Sequence, residues 1–535
     1  MVWNLFFHGV ENGKNGWWAW GAPAILRRVN RKSNKRNGVP PSDGKSLRVL
    51  FVASECAPFV KCGGLGDVVA SLPKALRPLG VDVRILVPLY DSISRDKYRL
   101  EEDPPCLVNA GRGEMNGCGV WRGRADGDVP VWFIEHDRFF ARGGVYDLNG
   151  AEFSDNAFRF GLLCMAAAQV CRDRGWIPDV VHVHDWPTSA LPVLLDAWRN
   201  AGTPLGWAAS VLTIHNQAYQ GYYHPSVLDY LGLGPEYFTP DRMESWGKIN
   251  LLKSGIVFAD AVTTVSPTYA REILAEPGGN GLSGELVLRG PDFEGILNGA
   301  DYEVWNPETD RRIPATYGAN SLIGKGLCKQ ELQSQMGLRE DASVPLFGMV
   351  TRLTSQKGTG LLRDVLPRVL KERNLQIVVL GSGEPADEAF FCELAWAHPG
   401  RVGVEIGYSE DLSHRIQAGS DFFLMPSLFE PCGLSQMYAL RYGALPVVHA
   451  TGGLEDTVEQ YNEGEGSGTG FKFYSAEPQA CFDAIAWAVA TWYDRPSHIT
   501  LMRERAMQVR FEWEASARRY VDIYRRVALK RAGGG

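Results

Sequence analysis

In Thr351-Arg-Leu-Thr-Ser-Gln-Lys-Gly358 an arginine and a lysine stand five residues apart, just where an apolar run gives way to a polar loop. Arg352 offers a planar fork that grips phosphate oxygens in pairs, and Lys357 a compact point charge. Gly358 lets the loop turn tightly, so the three together suit a diphosphate. Two more loops suit an anion. Lys61-Cys-Gly-Gly-Leu-Gly-Asp-Val-Val69 and Ala450-Thr-Gly-Gly-Leu-Glu-Asp-Thr-Val458 share the pattern Gly-Gly-Leu-x-Asp-x-Val, and each reads as the opening of a helix. A glycine pair allows close backbone approach to a ligand, and a helix start offers unpaired N–H groups and the positive end of a dipole. One such loop in each half predicts paired α/β domains with a phosphorylated ligand between them.

Other polar residues cluster at strand ends. Met425-Pro-Ser-Leu-Phe-Glu-Pro-Cys-Gly-Leu-Ser-Gln436 sets Glu430 after a strand and ahead of a helix. A carboxylate there can accept hydrogen bonds from sugar hydroxyls or balance developing positive charge. Cys432 reads either as a thiol activated near a helix start or as a small buried packing residue, and the second reading is preferred. In Val181-His-Val-His-Asp-Trp186, His182 and His184 share a strand face with Asp185 at the tip. They lack a third ligand, so no metal is expected. Thr213-Ile-His-Asn-Gln-Ala-Tyr219 ends a strand with His215-Asn216, placed to meet a sugar. Gly381-Ser-Gly383 is too short for a dinucleotide fingerprint, and nothing resembles a serine nucleophile elbow. Asp126-Gly-Asp128 reads as a hairpin turn rather than a metal–sugar motif.

These loops need elements to hold them. Strands are expected at Leu47–Ala53, Val81–Val87, Val131–Ile134, Val180–His184, Ser210–Ile214 and Ala261–Val265, with helices between most of them. The turn-rich stretch Pro277–Gly284, followed by Gly290-Pro291, divides the chain. A second series follows at Leu346–Val350, Gln376–Leu380, Val402–Ile406, Asp421–Met425 and Leu445–Val448. Apolar strands alternating with helices mean parallel sheets covered on both faces. In such sheets ligands sit beyond the carboxyl ends of the strands, which is where the polar motifs fall. The domains expected are 46–290 and 291–505, with 506–535 a helix that returns across them on an apolar face of Trp513, Ala517, Tyr520, Tyr524 and Val527.

Composition excludes several classes. Of 535 residues, 45% are hydrophobic and 22% charged, as in a globular protein, and no apolar stretch is long enough for a membrane span. Ten cysteines without a CxxC pair argue against a disulfide framework or zinc ribbon and favour a reducing compartment. Residues 1–45 hold eight Lys/Arg against two acids, which leaves the rest of a −7 chain near −13. That body offers no footprint for nucleic acid. The basic segment is expected to be a disordered leader; a transit segment is the alternative, though serines are few.

Taken together, Lys-x-Gly-Gly-Leu, HVHDW, TIHNQAYQG, TRLTSQKG, PSLFEPCGLSQMYALRYG and ATGGLEDTV resemble the motif set of bacterial glycogen synthases and plant starch synthases from about Leu47 onward. The resemblance implies the GT-B fold, two doubly wound Rossmann-like domains facing across a cleft. It implies transfer of glucose, with retention, from ADP-glucose to the non-reducing 4-OH of an α-1,4-glucan. No cofactor is implied, since ADP-glucose is a substrate. Lys61, Gly63 and Gly64 would then meet the donor's phosphates, and Arg352 and Lys357 would neutralise the leaving diphosphate. Glu430 would hold the glucosyl hydroxyls, His215 would lie near the sugar and Asp185 near the acceptor. Asn250, Cys432, Gly433, Leu434, Tyr438, Thr451, Gly452 and Gly453 would complete the donor site. Tyr438 stands eight residues after Glu430, where many related transferases carry a second Glu. Cys62 and Leu428 replace the family's usual Thr and Arg, and Leu428 leaves the choice between ADP-glucose and UDP-glucose open. The expected partners are ADP-glucose and glycogen or starch, without nucleic acid or membrane. The expected setting is the cytoplasm, with the plastid stroma as the alternative. Another nucleotide-sugar transferase of the same fold, or an inactive glucan binder, are the competing readings.

Overall fold

The computed structural model describes residues 46–148, 150–203 and 205–533, and the basic leader lies outside them. The first sheet has nine strands: β1 (Leu47–Val52), β2 (Val81–Pro88), β3 (Glu101–Ala110), β4 (Glu114–Ala125), β5 (Val129–Glu135), β6 (Val180–His184), β7 (Ala209–Ile214), β8 (Ala261–Thr264) and β9 (Phe293–Gly295). Their order across the sheet is β9-β8-β7-β6-β1-β2-β5-β4-β3. Neighbours from β9 to β5 are parallel, and β3 and β4 extend the edge as an antiparallel pair. Every residue of β6 and β7 is buried, as expected for strands covered on both faces.

Two features of this sheet differ from the sequence reading. The β3–β4 pair is absent from it, because Pro104-Pro105 and the glycines of β4 read as breaks. In the structure the edge of the sheet tolerates the prolines at a register shift between Asp103 and Cys106. The first sheet also runs past the expected division at 290/291, since Phe293–Gly295 pairs with Val262–Thr264. Asp126-Gly-Asp128 forms the turn between β4 and β5, with Gly127 at φ 69°.

The second sheet is wholly parallel and has six strands: β10 (Leu346–Val350), β11 (Gln376–Gly381), β12 (Val402–Ile406), β13 (Phe422–Met425), β14 (Leu445–His449) and β15 (Phe471–Phe473). Its order, β12-β11-β10-β13-β14-β15, is that of a doubly wound Rossmann sheet. The strand order reverses between β10 and β13 here, and between β1 and β6 in the first sheet. Those two switch points are the places where a ligand crevice must open.

The last helix, Trp513–Ala532, follows the second sheet yet buries Trp513, Ala517, Tyr520, Tyr524 and Val527 in the core of the first. Three polar contacts also tie the halves. Ser266 Oγ donates to Pro431 O at 2.6 Å, Thr268 donates N–H and O–H to Asp456 at 2.8 and 2.6 Å, and Glu272 accepts from Thr451 Oγ1 and Gly452 N at 3.0 and 2.9 Å.

Candidate active site

Both switch points open into one cavity of about 1260 Å³, lined from both halves. From the first half it receives Glu55 and the Lys61–Gly64 loop after β1, Asp185 after β6, and His215-Asn216 after β7. From the second come Thr351-Arg352 and Gln356-Lys357 after β10, and Ser427, Glu430, Cys432, Gly433, Leu434 and Tyr438 after β13.

On the second-half wall, Lys357 Nζ donates to Glu430 Oε2 at 2.6 Å, and Ser427 Oγ donates to the same oxygen at 2.9 Å. Glu430 is only 5% exposed, so this ion pair is partly withdrawn from water and screened less than a surface pair. Arg352 is exposed, and among the described residues its guanidinium has no hydrogen-bond or ion-pair partner. It is a free cation on this wall among the described residues. Burial pushes the Cys432 thiol up to about 12, so the residue is a packing group and not a nucleophile. Tyr438 stacks on Trp305 at 4.1 Å between ring centroids, and the other face of Trp305 stacks on His414 at 3.8 Å.

On the first-half wall the glycine loop is already engaged. Glu55 Oε2 accepts from Cys62 N at 2.5 Å and Gly63 N at 3.1 Å, while Tyr146 donates to Oε1 at 2.5 Å. Burial raises the Glu55 pKa, and these three bonds pull it the other way. A carboxylate of the chain itself therefore shapes the amide cradle of this loop. Lys61 pairs with Asp67 at 2.8 Å and remains 41% exposed.

Asp185 takes the left-handed backbone, φ 53°, which is unusual for a residue other than glycine and marks a strained junction. Its Oδ1 accepts from His215 N at 2.6 Å and Asn216 N at 3.3 Å, tying β6 to the loop after β7. Burial raises its pKa to about 7. His215 Nε2 lies 3.0 Å from His184 Nδ1, and burial lowers the His215 pKa to about 3. His215 is thus a neutral ring that can hydrogen-bond a sugar but carries no charge to it.

Four expected donor residues do not line the cavity. Asn250 is wholly buried; its side chain caps the next helix by accepting from Lys253 N at 2.9 Å and donates to Gln220 Oε1 at 2.7 Å. Thr451 and Gly452 face Glu272 of the first half, and Gly453 N donates to Glu430 O at 3.0 Å. A Cβ on Gly452 would meet Glu430 O at 1.9 Å, and one on Gly453 would meet Cys432 O at 2.1 Å. This glycine pair permits close approach of its backbone to that of the Glu430–Cys432 segment.

Sequence reasoning missed Glu55, Tyr146 and Trp305. The signal for Glu55 was available: an acid at the polar end of β1, seven residues before the loop whose amides it binds. Tyr146 and Trp305 lie in loops without regular pattern, and only the fold brings them in. Among the described residues no group of His, Cys, Asp and Glu is arranged to hold a metal ion, and no helix is long and apolar enough to cross a membrane.

Comparison with known proteins agrees with this architecture. Residues 48–287 match the family model of the starch synthase catalytic domain, and 333–503 that of glycosyl transferases group 1. Glycogen synthase 1 of Geobacter metallireducens is 47% identical over 492 residues, covering 91% of this chain and 98% of that protein. Glycogen synthase of Treponema denticola is 44% identical, covering 91% and 99%. The catalytic domain of starch synthase IV from Arabidopsis thaliana, solved bound to ADP and acarbose, superposes with a TM-score of 0.84 at 36% identity, covering 91% of this chain and all of that one. Sucrose-phosphate synthase from Thermosynechococcus elongatus, at 16% identity and a TM-score of 0.56, shares the fold. With two Rossmann-like domains, one shared cavity and relatives matched over nearly their whole length, the chain belongs to the glycogen and starch synthase family of glycosyltransferases.

Proposed function

We propose that the chain transfers glucose from ADP-glucose to the non-reducing 4-OH of an α-1,4-glucan with retention of configuration. The observation that carries this reading is the meeting of Arg352, Lys357 and Glu430 from one half with Lys61, the Gly63-Gly64 loop and His215 from the other around a single cavity. Breaking the bond from glucose to diphosphate places negative charge on the leaving group and positive charge on the sugar. Arg352, Lys357 and Lys61 stabilise the first by preorganised charge, which contributes more to such reactions than any other single effect. Glu430, held by Lys357 and Ser427, accepts from glucosyl hydroxyls. The ADP and acarbose bound by the related starch synthase support a nucleoside diphosphate and an oligosaccharide as the ligand classes.

Retention follows here from attack on the face that the diphosphate leaves. A double displacement needs a carboxylate free to bond the sugar carbon. Both Glu430 and Asp185 are engaged, the first by Lys357 and Ser427, the second by two backbone amides. A glycosyl adduct trapped on either would overturn this step. The bacterial relatives favour glycogen in a bacterial cytoplasm over starch in a plastid.

The test is glucose incorporation into glycogen from ADP-glucose and UDP-glucose in parallel, scored as polymer and as released nucleotide. Incorporation from ADP-glucose is expected. Turnover with UDP-glucose alone would keep the reaction and overturn the donor. No incorporation from either by folded protein would favour a non-catalytic glucan binder.

A further inference from the structure

Behind the cavity lies a buried polar chain of which the reaction above uses only His215. His182 Nδ1 is 2.7 Å from Tyr524 Oη of the last helix, and His182 Nε2 is 2.6 Å from Thr213 Oγ1. The His182 ring lies 4.3 Å from that of His184, whose Nδ1 meets His215 Nε2 at 3.0 Å. His182 and His184 are both 0% exposed, and only His215 of the three lines the cavity.

The contact between His184 and His215 poses a choice. Burial lowers the pKa of both rings, so each is neutral and carries one proton. A nitrogen–nitrogen contact at 3.0 Å holds only if a single proton lies between the rings. If His215 Nε2 carried it, His184 would carry its own on Nε2, an atom that is buried and has no hydrogen-bond partner. That arrangement seals an N–H in the core without an acceptor. If His184 Nδ1 carries the proton, the sealed Nε2 is a bare acceptor, the less costly defect, since orphaned buried donors are rarer than under-used acceptors. His215 must then hold its proton on Nδ1, which makes no hydrogen bond with the described residues and is not among the sealed atoms.

We propose that His184 is a positioning residue that fixes the tautomer of His215, so that His215 meets the substrate as an Nδ1–H donor to a sugar oxygen. Only the identity of what His215 meets rests on the glucosyl-transfer reading; the tautomer does not. The last helix takes part at one remove, because Tyr524 hydrogen-bonds the His182 ring that packs against His184.

The first test is a ¹⁵N-histidine spectrum of the full chain without ligand, with His215 assigned by His215→Asn. The expected result is a protonated Nδ1 and a bare Nε2 on His215. A protonated Nε2 on His215 would overturn the proposal, whatever the enzyme's activity. The second test is kinetic. His184→Leu fills the space without a donor and should lower kcat about tenfold or more with little change in the KM for ADP-glucose. His184→Asn keeps an N–H near the Nδ1 position and should restore activity to within about threefold of the parent. Equal activity of His184→Leu and the parent, while His215→Ala is impaired, would refute the positioning role. Full activity of His215→Ala would instead remove His215 from the reaction and leave the tautomer to the spectrum.

Discussion

Replacing Arg352 by alanine separates catalytic from structural roles more cleanly than any other change in this cavity. The side chain is exposed and has no hydrogen-bond or ion-pair partner among the described residues, so its loss breaks no such bond in the folded chain. Surface changes of that kind stay within about 0.5 kcal/mol of stability, which in a chain of this size moves Tm by about 2 °C or less. The catalytic loss should be of another order. Removing one preorganised group that stabilises developing negative charge costs about 10²–10³ in kcat, or about 2.7–4 kcal/mol. The assay is ADP release from ADP-glucose with glycogen as acceptor, run beside a thermal melt. Arg352→Lys keeps the charge but loses the bidentate fork, and should recover part of the activity. A loss below about fivefold would remove Arg352 from the diphosphate site. An activity loss accompanied by a Tm drop of more than about 5 °C would mean that Arg352 holds the fold, and its exposure would then say nothing of catalysis.

Three further changes probe the same walls. Lys357→Met should lose activity on the same scale and, unlike Arg352→Ala, also about 3 kcal/mol of stability, because Glu430 is left buried without its cation; an unchanged melt would refute the coupling. Asp185 ionises at about 7 in the folded chain against about 4 unfolded, so the folded state binds the extra proton between those values and stability falls as pH rises from about 4 to 7. Asp185→Asn should remove that part of the slope in denaturant titrations, and an identical pH profile would show that Asp185 does not titrate there. Gly453→Ala places a methyl 2.1 Å from Cys432 O and should cost about 1–3 kcal/mol with lowered activity, since the displaced segment carries Glu430; a variant as stable as the parent would sink the packing reading.

The parallel strands of both sheets were legible because buried strands such as Val180–His184 and Gln376–Gly381 are largely apolar runs bounded by polar loops. The meeting of Arg352, Lys357, Glu430, His215 and Lys61 was legible for a related reason: each follows a strand, and strand ends of parallel sheets converge on the switch points. Pattern failed where a residue's partner lies far away in the chain. The Gly452-Gly453 turn looks the same whether a phosphate or another backbone approaches it, and only the fold puts Glu430 and Cys432 there. Asn250 sits in a matching motif yet serves as a helix cap, a role fixed by the amide three residues on rather than by the cleft. The β3–β4 pair escaped because edge strands accept prolines and polar residues that a central strand would reject.

The attachment of the last helix to the first core has a consequence for how the protein is made. Trp513–Ala532 supplies Tyr520 and Tyr524 to a sheet whose first strand begins at Leu47. During synthesis the amino-terminal half leaves the ribosome with the floor beneath β6 and β7 uncovered, and it stays so while the whole second domain is translated. At about 5–20 residues per second that interval is tens of seconds. The two halves are therefore not independent folding units: the second domain can close its own sheet at once, whereas the first must wait for residues made more than two hundred positions after its last strand. Nascent chains halted before Trp513 should expose that floor to chaperones and proteases.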